Sequence, residues 1–140
     1  MEEYLDFLKD VGLSILFLPV AALISAAILK WLNTKIAKFA VPYSRAFRIE
    51  LLIGIAYFCC FIILCVAGIL FGHKGILNLI MLILIFLIGA PFYAKMIIHP
   101  EKGPIGWQKG IAYSLIFGAL DIVMQISATI VPLFILSQIY

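Results

Sequence analysis

The sequence predicts an all-α integral membrane protein, with four transmembrane helices arranged as two antiparallel hairpins and both termini outside. Three observations carry that expectation. Of 140 residues, 66% are hydrophobic and 12% charged, whereas ordinary soluble domains run about 45–50% apolar and about 25% charged. Charge-free stretches cover residues 11–29, 51–72 and 75–94, and a fourth at 110–135 is interrupted by a single acid; each meets the ~20 residues needed to cross ~30 Å of hydrocarbon. Basic residues are also unevenly shared, which sets the orientation. Little chain remains outside the spans, so a single membrane domain over residues 1–140 is expected. Its first partner is the lipid bilayer and its place the cell membrane.

The leader before the first span, MEEYLDFLKD, carries Glu2, Glu3, Asp6 and Asp10 against Lys9. An export signal would open with a positive region, so this segment reads as an interfacial turn running into helix 1. The loop after helix 1 holds Lys30, Lys35, Lys38, Arg45 and Arg48, and the loop after helix 3 holds Lys95, Lys102 and Lys109. These are eight of the ten basic residues in the chain, and the positive-inside rule places both loops in the cytoplasm. In the first loop Trp31, Ile36, Phe39 and Tyr43 interleave with the cations, as in an aromatic and basic belt at the headgroups. Pro42 divides that loop, and Ser44 is expected to cap helix 2.

Helices 2 and 3 are joined by the short Gly72-His73-Lys74-Gly75 turn and must be antiparallel neighbours. Cys59, Cys60 and Cys65 lie inside helix 2 at spacings that suit neither a metal nor a redox pair, and read as small packing residues. Gly68 and Gly72 form a lone GxxxG match. Helix 3 is almost uniformly large and aliphatic from Ile76 to Leu87, the pattern of a lipid-facing helix. The loop HPEKGPIGWQKG is rich in proline and glycine and is expected to be bent rather than helical. The tetrapeptide Gly-Ile-Ala-Tyr occurs at 54–57 and again at 110–113. At the same offset Pro42 falls on Ile98 and Lys30 on Phe86, so the repeat reads as chance.

Helix 4 carries the chemistry that the pattern offers. Gly106, Gly110, Ser114 and Gly118 recur every four residues, a small-residue face that lets another backbone approach closely. Ala22 with Ala26 and Ala21 with Ser25 make helix 1 the expected complement. The stripe continues into Asp121, Gln125 and Thr129. Asp121 is the single charge between Gly110 and the C-terminal Tyr140. It lies ten residues beyond Ile111, ~15 Å into the bilayer. A carboxylate there costs about 2.5–3.5 kcal/mol on insertion scales. Three resolutions stay open: hydrogen bonding within the bundle (Ser25, Ser114, Gln125 or a carbonyl), reversible binding of a proton or cation, or a basic group on another subunit. Glu50, at the cytoplasmic mouth of helix 2, has Lys95 and Lys109 of the other hairpin as candidate interfacial ion-pair partners.

No zincin, P-loop or nucleophile-elbow pattern is present, no metal or cofactor is implied, and the net charge of +3 reflects membrane anchoring rather than nucleic-acid binding. The expected function is therefore not enzymatic. The first reading is a small polytopic membrane protein that acts through helix packing, as a homo-oligomer or as a subunit of a membrane complex. The alternative is a small transporter or channel with a midplane proton or cation site formed by Asp121, Gln125, Thr129 and Ser25.

Overall fold

Four helices occupy most of the chain in the computed structural model: α1 (Glu2–Ile36), α2 (Tyr43–Phe71), α3 (Lys74–Met96) and α4 (Trp107–Ile139). The structure describes residues 2–71 and 74–139, except for the side chains at 3, 69–71, 74, 75, 77, 78, 125, 128, 129, 132, 133, 136 and 139. Gly72 and His73 of the turn between α2 and α3 lie outside the described residues. Among the described residues three helices are long and apolar enough to cross a membrane, over Tyr4–Ile36, Tyr43–Gly68 and Leu79–Met96. Each of the three helices extends beyond its charge-free run. Hydrocarbon thickness limits the apolar stretch, while the backbone ladder can continue through the polar interface.

The chain leaves α1 through a left-handed residue. Ala37 N–H donates to the Asn33 carbonyl at 3.0 Å, and Lys38 then takes φ 59°, the conformation that commonly closes a helix. The side chain of Asn33 turns back to donate to the Phe39 carbonyl at 2.6 Å. Pro42, rather than Ser44, opens α2: its carbonyl accepts from Arg45 N–H at 3.0 Å and Ala46 N–H at 3.1 Å. Ser44 already lies in the first turn and is exposed.

The second loop folds as a two-residue antiparallel ribbon, β1 (Ile98–His99) with β2 (Gly103–Pro104). Bent was the expectation, and the ribbon is how the bend is made. His99 Nδ1 accepts from the backbone N–H groups of Glu101 and Lys102 at 3.1 and 3.3 Å. Its ring meets Phe39 of the first loop edge-on, 4.7 Å between centroids. The two loops thus share one end of the bundle and touch.

The helices pack in chain order, α1 on α2, α2 on α3 and α3 on α4. Early residues of α2 meet late residues of α3, as in Tyr93 with Glu50, and later residues of α2 meet earlier ones of α3, as in Tyr57 with Ile85. That progression is antiparallel. The two ends of the row, α1 and α4, meet through Tyr113 and Asn33. Most of the buried core lies towards the loop end of the bundle, including Leu29, Leu32, Ala46, Ile49, Tyr93, Ile97 and Tyr113.

Two packing expectations change. The small face of α4 is covered by α3, not by α1: a Cβ on Gly110 would stand 2.6 Å from the Ala90 carbonyl oxygen and 2.7 Å from the Ala94 Cβ. One on Gly118 would stand 2.8 Å from the Phe86 ring. Among the described residues of α3, Ile76, Leu79, Ile80, Ile83 and Leu87 form its exposed apolar surface. Its Gly89, Ala90 and Ala94 are buried, the small residues that the aliphatic pattern of its first half conceals. Gly106 is not part of the face. It sits at φ 85° ahead of α4 with open space around it, and its carbonyl accepts from Gly110 N–H at 3.0 Å.

Candidate functional site

All four helices line a cavity of about 740 Å³. Helix α1 contributes Ser14, Phe17, Leu18, Ala21, Ala22 and Ser25, and α2 contributes Glu50, Ile53, Gly54, Tyr57, Phe58 and Phe61. From α3 come Met81, Leu82, Ile85 and Tyr93, and from α4 Ser114, Phe117 and Asp121. The wall is therefore largely apolar and aromatic, with a few polar groups, the usual make-up of a small-molecule site.

Glu50 lies at the end nearest the loops. Because α2 begins at Tyr43, Glu50 is seven residues into the helix rather than at its mouth, ~10 Å along the axis. It is 7% exposed, and Tyr93 Oη donates to its Oε1 at 3.0 Å. The expected pairing with Lys95 or Lys109 is absent, since both lysines are exposed and Glu50 has turned inward to Tyr93. The physical reason is geometric: a buried position within the helix cannot be reached by lysines whose heads stay in water. A carboxylate in such surroundings needs hydrogen bonds, water or a counter-charge.

On the loop side of Glu50 lies a second polar pair, outside the cavity lining. Tyr113 Oη donates to Asn33 Oδ1 at 2.8 Å, both residues being 0% exposed. With the Asn33 donation to Phe39, this one amide ties α1, the first loop and α4 together. Tyr93 stacks on Phe117 at 5.4 Å and lies 5.9 Å from Tyr113, so this end of the bundle is aromatic as well as polar.

Asp121 lies at the other end of the same cavity, on α4. The registers of α2 with α3 and α3 with α4 put it about ten residues above the Glu50 level, ~15 Å along the bundle. Ser25 and Ser114 line the space with it. Ser114 Oγ is turned to α3, donating towards the carbonyls of Phe86 at 3.3 Å and Ile85 at 3.5 Å. The side chains of Gln125 and Thr129 fall outside those described. Asp121, Ser25 and Ser114 thus line one cavity at different depths, together with Glu50, which was expected in an ion pair elsewhere.

Tyr57 and Tyr93 line the cavity, and Asn33 and Tyr113 pair beside it, without having been singled out by the sequence. The repeated Gly-Ile-Ala-Tyr was the available signal. Both of its tyrosines cross to the other hairpin: Tyr57 Oη donates to the Ile85 carbonyl on α3, and Tyr113 Oη to Asn33 on α1. The offset that relates the tetrapeptides also relates Asn33 to Gly89, and a Cβ on Gly89 would lie 3.5 Å from Tyr57 Oη. The two tyrosines therefore reach equivalent places, one finding an amide and the other a bare backbone.

Among the described residues no three His, Cys, Asp or Glu side chains converge as metal ligands would. Cys59, Cys60 and Cys65 are free thiols. No protein-family model, curated protein or solved structure matches the chain.

Proposed function

We propose that this protein is a small four-span transporter of the cell membrane that takes a proton or a cationic solute into the central cavity, with Glu50 and Asp121 as its anionic groups. The observation that carries the reading is the cavity itself, formed within one chain and holding a buried carboxylate at one end and a second carboxylate at the other. Ionisable groups at bilayer depth mark ion and substrate pathways by default, because their insertion cost needs a functional return. The orientation follows from charge, with both basic loops in the cytoplasm and both termini outside.

The alternative, a packing protein working as homo-oligomer or subunit, drew on the small face of α4. Gly110 and Gly118 of that face pack against α3, so the part of the reading that needs them free for another subunit has less support. A cavity within one chain also relieves the transporter reading of any need for assembly to create a pocket.

Flux in proteoliposomes tests the proposal. Wild type should dissipate an imposed gradient of protons or methylammonium, read by an internal pH-sensitive dye. Glu50→Gln and Asp121→Asn should each reduce that flux at least tenfold while eluting as monodisperse, helical protein. Equal flux from both variants and wild type would sink the proposal.

A further inference from the structure

We infer that the solute is an amphiphilic organic cation that reaches the cavity sideways from the lipid, between α1 and α4, and seats its charged head towards Glu50. The inference rests on the cavity being a cation site and specifies what kind of cation it takes.

The composition of the wall excludes a bare metal ion as the natural occupant. Hard cations are held by cages of six to eight oxygens, whereas this wall presents Phe17, Phe58, Phe61, Phe117, Tyr57 and Tyr93. Aromatic faces attract organic ammonium groups through their quadrupole, more strongly when water is displaced. The volume also suits a drug-sized molecule rather than an ion. Among the described residues no Lys, Arg or His lines the cavity. A zwitterionic phospholipid would bring a phosphate that finds no partner, so the occupant carries net positive charge.

The route follows from which helices touch. Neighbours in the row are packed against one another, whereas among the described residues the hydrogen bond that joins α1 to α4 is Tyr113 to Asn33, on the loop side of Glu50. Above that bond Phe17 lines the cavity and is at the same time 63% exposed. Ala21, one turn further along α1, also lines it and is exposed. The same wall thus faces both the cavity and the surroundings of the bundle, which at this depth are acyl chains. The loop end carries the Tyr93–Glu50 and Tyr113–Asn33 bonds and the Phe39–His99 contact. A solute that partitions into lipid can slide its tail past Phe17 while its head finds Glu50.

Binding to full-length protein in nanodiscs of zwitterionic lipid, followed by calorimetry with tetramethylammonium and with octyl-, decyl- and dodecyltrimethylammonium, tests this. Protein-free nanodiscs of the same lipid subtract partitioning into lipid, and in the Glu50→Gln variant Gln retains the oxygen that accepts from Tyr93. The expected result is saturable binding that tightens about three- to fourfold per added methylene and weakens at least tenfold in Glu50→Gln. Phe17→Ser should weaken the dodecyl compound by a several-fold larger factor than tetramethylammonium. Glu50-dependent binding that ignores chain length would overturn the amphiphile inference while leaving the cavity as a cation site. Equal binding by Glu50→Gln, or by dodecylphosphocholine and dodecyltrimethylammonium alike, would overturn it too. Absence of binding by any of these probes, with monodisperse wild type, would also overturn it, and the methylammonium and proton flux experiment decides the broader proposal independently.

Discussion

Asn33 does more than any other polar residue in the described structure. Its side-chain amide spends its oxygen on Tyr113 and one N–H on Phe39, at a position with 0% exposure. Removing one partner from a buried pair leaves the other unsatisfied, which costs about 1–3 kcal/mol. Tyr113→Phe should therefore lower unfolding stability in detergent by about that amount. Tyr57→Phe offers the contrast. Its acceptor, the Ile85 carbonyl, lies within α3 and is already part of a helix ladder, so the loss should be nearer the ~0.6 kcal/mol average for interhelical bonds in membranes. Denaturation of the two variants side by side checks the ordering; an equal loss would mean that Asn33 is satisfied some other way. Glu50→Gln should be nearly neutral in the same assay, because Gln keeps the acceptor while removing the charge.

At the scale of elements, the contact between α3 and α4 depends on what stands opposite each glycine. Gly110 faces backbone, the Ala90 carbonyl oxygen at 2.6 Å and the Ala94 nitrogen at 2.8 Å from a built Cβ. Backbone cannot step aside without moving the helix. Gly118 faces the rim of the Phe86 ring at 2.8 Å, which can rotate. Gly110→Ala should then destabilise by about 1–3 kcal/mol, the usual range for overpacking, and Gly118→Ala by clearly less. Thermal unfolding followed by circular dichroism separates them, and the reverse order would show that the helices re-register rather than resist. Gly54 is looser still, with Leu18 at 3.5 Å or more, so the first hairpin is held less by close backbone approach than the second.

For the whole molecule, the polar and aromatic packing is concentrated at the loop end, and the basic residues are too. Lys30, Lys35, Lys38, Arg45, Lys95, Lys102 and Lys109 are all exposed there, able to reach anionic headgroups, each worth about 1 kcal/mol near such a surface. The loop end of the fold is thus rimmed with cations and holds most of the described polar and aromatic packing. A reporter that fluoresces only in the cytoplasm should be dark when fused after Tyr140 and bright when inserted at Lys102. A bright C-terminal fusion would reverse the orientation, putting the Glu50 end of the cavity on the outside.

Composition and charge-free run lengths by themselves determined that the chain is helical and apolar enough to span a membrane, because in hydrocarbon every backbone polar group has to be satisfied within the segment. They also marked Gly110, Ser114 and Gly118 as a close-packing face and Asp121 as a residue with a polar address. Which helix covers that face was decided only in three dimensions. Small residues at four-residue spacing occur on α1 and, as Gly89, Ala90 and Ala94, on α3, and nothing local distinguishes the two as partners. The same holds for Glu50. Its neighbours in sequence are silent about Tyr93, which lies 43 residues away and arrives only when α2 and α3 pair antiparallel. The cavity belongs wholly to the tertiary structure, since its lining is assembled from residues of all four helices.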